Sequence, residues 1–226
     1  STLFPHTARY RAAGATPSGR IRSDVPARIG RLIIAPALAD FLDNYREIDV
    51  ELGVSDRAIN LVEDNVDCVL RVGPLADSGL IARPLGHLPL INVASPAYLM
   101  RYGTPDRPDE LLHHRAVNYA SPSTGRVEDW EWLDESGLHH MPMSGRVTVN
   151  SAEAYIACCL AGHGLIQIPA YDVKSHLAAK ELVEVMPAFR AAPMPMTLLY
   201  PHRQHLSRRL HVFMEWLESV LHKALV

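Results

Sequence analysis

Histidine and cysteine are the residues of this chain best equipped for chemistry, and their spacing decides what they can do. The sequence holds twelve histidines and three cysteines. His113–His114 and His139–His140 are neighbours, which point apart on either a strand or a helix. His202 and His205 have a tolerable separation, but they sit in a Pro- and Arg-bearing turn without a nearby carboxylate or thiol. Neither Cys-x-x-Cys nor His-Glu-x-x-His occurs, so no metal site is expected. Cys158 and Cys159 are adjacent and cannot make a normal bridge. No activating cation stands beside them, and they read as small apolar residues packed under a helix. Gly-x-Ser-x-Gly, a Walker loop and a helix-opening Gly-x-Gly-x-x-Gly are all absent. "AGHGL" (Ala161 to Leu165) ends a helix, so its glycines read as a C-cap. Trp130, Trp132 and Trp216 fall at strand and helix spacing and read as core or interface residues. No nucleophile–base pair is legible, so the chain is expected not to be an enzyme and to carry no cofactor.

The remaining polar residues of interest lie where strands give way to helices. Ligands in α/β folds lie outside the carboxyl ends of strands, where helix N-termini point in. The elements that would put residues there can be traced from the pattern. Residues 20–25 are a short strand, with Pro26 and Gly30 breaking the chain before a helix. Leu38, Phe41, Leu42 and Tyr45 make the stripe of that helix, with Pro36 in its first turn. Val50, Leu52 and Val54 alternate with polar residues and glycine, as in a strand with one buried face. Asp56 caps a short helix bearing Ile59 and Val62, and Cys68–Leu70 is a strand covered on both faces. This strand–helix–strand–helix–strand run predicts a parallel sheet.

The pattern then restarts. Ser95 and Pro96 open a helix, and Val117–Tyr119, Trp130–Leu133 and Val147–Val149 are strands. Asn150 is the N-cap of the next helix, with Glu153 three residues on as in a capping box. Leu165–Pro169 is the strand that follows. A last strand, Thr197–Tyr200, leads to a helix capped by Ser207 with Leu210, Phe213, Leu217 and Leu221 on one face. Two α/β lobes result, with chain crossings near residues 94 and 197. The strand ends bring Asp24, Ser55, Asp56, Asn150 and Ser151 forward as ligand-facing residues in a shared cleft; each taken alone is equally well a cap or a turn former.

Composition narrows the function. The 226 residues fit one large domain or two small ones, and 48% hydrophobic with 21% charged residues is an ordinary globular mix. The net charge of −3 is poorly suited to holding DNA, so these residues alone are not expected to do so. No stretch approaches the roughly 18 apolar residues of a membrane span. Residues 1–22 have no apolar core of a secretory signal, and Ala12–Gly19 reads as a linker. The odd, sparse cysteines fit a reducing, cytoplasmic setting.

Several ordered blocks then carry a resemblance. "SGRIRSDVPARIGRLIIAPALADFLDNYREIDVELGVSDRAINLVEDNVDCVLRVGPLADSGLIARPLG" resembles the effector-binding domain of LysR-type transcriptional regulators. "SPAYLMRYGTPDRPDELLHH", "GRVTVNSAEAYIACCLAGHGLIQIP" and "YPHRQHLSRRLHVFMEWL" continue it in the same order, so that it covers residues 17–222. The resemblance implies an α/β fold of two Rossmann-like lobes with a cleft between, periplasmic-binding-protein-like (type 2). Lobe 1 would hold residues 17–93 and 198–226, lobe 2 residues 94–197, and residues 1–16 would be the remnant of a linker helix.

The implied function is ligand sensing for transcription control, with a small-molecule inducer in the cleft. DNA would be read only by an N-terminal winged helix-turn-helix that these residues do not include. Ligand-facing residues implied by the family are Ser23, Asp24 and Val25, then Ser55 and Asp56, then Arg71 and Val72. The second lobe would add Asn150, Ser151, Pro169 and Tyr171. The family often has a small residue where Asp24 stands, and an acid there disfavours an anionic inducer. A homodimer is implied, pairing the helix Pro36–Tyr45 with the partner's helix Ser151–Ala161, and no membrane partner. The alternative is a periplasmic solute-binding protein of a transport system.

Overall fold

Ile21, Ser23 and Val25 are buried and Arg20 is exposed, the period of two that builds β1 (Gly19–Val25). The structure is a computed structural model and describes residues 16–56, 60–75, 77–122, 124–202 and 205–225. The linker-helix expectation for residues 1–16 therefore lies almost wholly outside the described residues. The chain divides into two compact units, with crossings at Gly86–His87 and Pro195–Met196 and with Asp56 grouped in the second. No described helix is long and apolar enough to cross a membrane.

The first unit is built on a five-stranded sheet. In it β2 (Ile48–Val54), β1, β3 (Cys68–Val72), β12 (Met194–Tyr200) and β4 (Ile81–Leu88) lie side by side in that order. β1 runs parallel to β2, from Gly19 opposite Ile48 to Val25 opposite Val54, and parallel to β3. The parallel run read from the pattern is therefore present, and β12 closes it antiparallel to β3.

The helix after β1 departs from expectation. Pro26 and Gly30 do not break the chain: α1 (Ala27–Ile29) passes through a π turn (Gly30–Ile34) into α2 (Ala35–Asn44). Gly30 is needed for close approach, since a Cβ there would stand 2.6 Å from Val54 Cγ1 and 3.0 Å from Val25 Cγ2. The short helix expected after Asp56 is replaced by turns over residues 60–65, where the Asn60 side chain accepts the N–H groups of Val62 and Glu63. Val62 is 77% exposed, so it supplies no apolar face, and Ile59 lies outside the described residues. The C-terminal α6 (Arg208–Leu225) begins as expected, with Ser207 Oγ accepting the Leu210 N–H. It buries Leu210, Phe213, Met214, Leu217 and Leu221.

The second unit centres on β5 (Leu90–Ala94), paired antiparallel with β10 (Ile166–Pro169) and with β11 (Val183–Val185). From sequence β5 falls in the first lobe; its ladder partners place it in the second unit instead. β6 (Asn118–Tyr119) pairs parallel with β9 (Thr148–Val149), and β7 (Trp130–Asp134) forms a hairpin with β8 (Gly137–Met141). The helices are α3 (Pro96–Tyr102), α4 (Ala152–Leu160) and α5 (Ala170–Ala178).

Two apolar clusters hold this unit. One gathers Ile91, Val93, Tyr155, Ile156, Cys159, Ile166 and Val173, with Cys158 packed against it. Both cysteines are thus packing residues here, and burial pushes the Cys159 thiol up to about 12. The other cluster includes Tyr98, Leu111, Trp130 and Leu165. The Gln167 amide donates to Asn92 Oδ1 and the Glu131 carbonyl and accepts the Glu131 N–H, tying the hairpin to the sheet.

His114 makes this second core sensitive to acid. Tyr98 Oη accepts the Arg115 N–H at 2.9 Å, and it lies 2.8 Å from His114 Nδ1. A neutral imidazole accepting the tyrosine proton satisfies both groups. Burial lowers the His114 pKa below its ordinary 6.5, because desolvation disfavours the imidazolium. The folded state then binds fewer protons than the unfolded one below about pH 6.5. His114 therefore contributes stability above that pH, and the contribution is lost as pH falls toward its folded value. Urea unfolding at pH 7.5 and 5.5 is expected to show a smaller acid loss in His114→Gln than in the parent. Equal losses in both would refute the assignment.

Candidate functional site

The carboxyl ends of three parallel strands put the first group of residues together. β1 and β2 end in register at Val25 and Val54, and the Ser55 N–H donates to the Val25 carbonyl at 2.9 Å. β3 brings Arg71 alongside, and its Nη2 donates to Asp24 Oδ2 at 2.9 Å. Arg71 Nη1 donates to the Leu70 carbonyl at 2.9 Å and reaches the Ser55 carbonyl at 3.5 Å. The Arg71 and Asp24 side chains are 15% and 10% exposed, so this is a largely desolvated ion pair. Asp24, Ser55 and Arg71, expected at one site, are thus in contact.

Ser23 and Val25 are placed differently. The Ser23 hydroxyl lies against Cys68 Sγ at 3.4 Å, and the serine is 2% exposed. Burial pushes the Cys68 thiol up to about 12. Val25 is fully buried, so its side chain belongs to the core and only its backbone reaches the strand edge. Val72 ends β3 half-buried, and Asp56 follows Ser55 half-buried. Gly53 was not anticipated: a Cβ on it would come within 2.8 Å of Asp24 Oδ1. Its signal was present in the sequence as a glycine inside a strand, which marks a close approach.

The second group stands in the other unit, at the start of α4. The expected cap is corrected by one residue: Ser151, not Asn150, accepts the Ala154 N–H, at 3.2 Å. Ser151 has the extended backbone of a cap (φ −138°, ψ 150°), while Asn150 is exposed. The Ser151 oxygen is thereby engaged as an acceptor, and its hydroxyl proton is the group it can offer. Beside it, the Ala120 N–H donates to the Val149 carbonyl, which sets Tyr119 against the end of β9.

Tyr119, which strand-end reasoning applied to Val117–Tyr119 also reaches, packs half-buried against the core at this end of the unit. Its ring meets Tyr155 edge-on at 5.1 Å, and burial pushes its hydroxyl up to about 12. Pro169 ends β10 and precedes α5, in whose first turn Tyr171 stands half-buried.

Two arrangements elsewhere carry no catalytic geometry. Asp134 Oδ1 and Ser136 Oγ both lie 2.8 Å from the same His139 nitrogen, Nε2. A Ser–His–Asp relay needs the acid on one ring nitrogen and the hydroxyl on the other. Among the described residues, no three His, Cys, Asp or Glu side chains gather as a metal site.

Residues 14–221 match the LysR substrate binding domain family. The HTH-type transcriptional regulator YhjC of Escherichia coli is 42% identical over 204 residues, covering 90% of this chain and 68% of that protein. An HTH-type transcriptional repressor of Pseudomonas aeruginosa is 35% identical, covering 92% of this chain and 66% of its own length. The chain thus spans about two thirds of these relatives. Among solved structures, the regulatory domain of CrgA from Neisseria meningitidis superposes with a TM-score of 0.77 at 30% identity, covering 90% of this chain and 98% of that one. The strand order, the mixed α/β layers and this superposition agree with the type 2 periplasmic-binding-protein-like fold of the family. The chain belongs to the LysR family of transcriptional regulators and consists mostly of their effector-binding domain.

Proposed function

We propose that the chain senses a small-molecule inducer for a regulator whose DNA contacts are made by an N-terminal winged helix-turn-helix outside these residues. The observation that carries this reading is the strand-end cluster of Asp24, Ser55 and Arg71, where a fold of this kind receives ligands. In the second unit, Ser151, Tyr171 and the strand end at Pro169 are the corresponding groups, with Tyr119 added to those read from sequence. The function is recognition without turnover, in a cytoplasmic protein, with no cofactor and no membrane partner. Transport is not favoured, because the relatives are transcriptional regulators.

The test is a thermal-shift screen of small metabolites followed by calorimetry. An inducer at 100 times its Kd is expected to stabilise the chain by about 2.7 kcal/mol. A library-wide absence of stabilisation, with a regulator that also ignores these compounds at its promoter, would sink the reading.

The reading includes a homodimer formed through α2 and α4. Phe41 and Ile156 are spent on their own cores, but Leu38, Leu42 and Leu160 remain only half-buried and available to a second copy. Such an interface is isologous. Light scattering at high micromolar concentration is expected to give twice the chain mass, and a monomer mass there overturns the pairing.

A further inference from the structure

We propose that a cavity beside Asp24 binds the ammonium group of a small primary amine, which makes the inducer a cationic or zwitterionic amine; this rests on the strand ends being the effector site. The cavity, about 250 Å³, lies on one face of β1 and β2 and is lined by Arg22, Asp24, Glu51, Gly53 and Asp64 among others. The strand register explains the gap. Arg22 stands opposite Glu51 and Asp24 opposite Gly53, so the position next to Asp24 has no side chain.

Asp24 is nine-tenths buried, and its two oxygens are used unequally. Oδ2 accepts from Arg71, while Oδ1 receives no hydrogen bond from any described residue and faces the space a Gly53 side chain would fill. Oδ1 is the oxygen open to this cavity, and an ammonium donor placed there supplies both a hydrogen bond and the complementary charge.

The other charged groups point the same way. Arg22 is held by Glu51, Nε to Oε2 at 3.1 Å, and Asp64 accepts the Asn60 N–H at 3.2 Å. Three carboxylates line the cavity against one guanidinium, and a net negative charge remains when Arg71 is counted. A monoanion meets that charge with repulsion, and a neutral alcohol supplies only the weaker, uncharged hydrogen bond. Arg71 keeps Asp24 in place through the Nη2–Oδ2 bond.

The experiment follows the Gly53 and Asp24 backbone amides by NMR as the chain is titrated with n-propylamine, n-propanol, propionate, glycine and magnesium chloride. The amine and glycine are expected to move both amides, the amine binding about tenfold more tightly than the alcohol, as a charged donor exceeds a neutral one. Gly53→Ala, which sets a methyl group against Oδ1, is expected to abolish these shifts, and Asp24→Asn to erase the preference for amine over alcohol. Circular dichroism checks that both variants are folded, and the wild-type comparison of amine with alcohol stands without them. Tighter binding of propionate or magnesium at these amides overturns the proposal. So does a thermal-shift hit that moves only amides elsewhere while no amine moves Gly53, an outcome that leaves the effector reading standing. If no small molecule moves any amide, both fall.

Discussion

Replacing Arg71 by methionine is expected to lower the unfolding free energy by about 3–5 kcal/mol, the scale for removing one partner of a buried ion pair. The magnitude comes from the carboxylate left behind. Asp24 is 10% exposed on its side chain, and Arg71 Nη2 is the donor to its Oδ2. Without the guanidinium, Asp24 must take up a proton or draw in water. The double variant Asp24→Leu/Arg71→Met is expected to recover most of the loss, because two apolar side chains of similar volume avoid the desolvation of both charges. Urea unfolding of the two single variants and the double variant forms a cycle that isolates the coupling. A loss below about 1 kcal/mol for Arg71→Met, the range of exposed pairs, would show that solvent reaches the pair freely. If the double variant keeps its fold but no longer responds to an inducer, the pair serves recognition rather than stability.

A comparable loss, about 3–5 kcal/mol, is expected for Phe213→Ala, the scale for deleting a buried aromatic ring. Phe213 is fully buried in α6 and packs edge-on against Phe41 of α2 with ring centres 5.5 Å apart. Trp216 lies 5.1 Å from Phe41 and 5.7 Å from Phe213, so the three rings support one another. Deleting the Phe213 ring removes its transfer free energy and leaves a cavity beside two large neighbours. The same change should reach the strand edge, because α2 continues the helical run that starts directly after β1. Chemical denaturation measures the stability loss, and a cost under about 1 kcal/mol would mean that the cluster repacks around the gap.

The elements that local chemistry specifies strongly were legible in the chain itself. The short strand before Pro26, the Ser95–Pro96 and Ser207 helix starts and the apolar stripe of Leu210, Phe213, Leu217 and Leu221 all stand where the pattern puts them. So does the parallel arrangement of β1, β2 and β3, although only the β1–β2 connection is helical among the described residues. The family was legible as well, since ordered blocks along nearly the whole chain carry it.

Pairing was not legible, because a strand's partner is chosen by surfaces far away in sequence. That β5 joins β10 and β11 depends on cross-strand contacts which no local pattern of Leu90–Ala94 records. The cap of α4 differs as well: Asn150 and Ser151 are both good cap types, and in the structure Ser151 takes the position. At the site, sequence supplied Asp24, Ser55 and Arg71 as residues of one site without saying which side chains touch. Only the tertiary structure joined Asp24 to Arg71, spent Ser23 on Cys68, sank Val25 into the core and set Gly53 against the Asp24 carboxylate. Chain order fixes which residues reach a strand end; the register between strands decides which of those side chains meet.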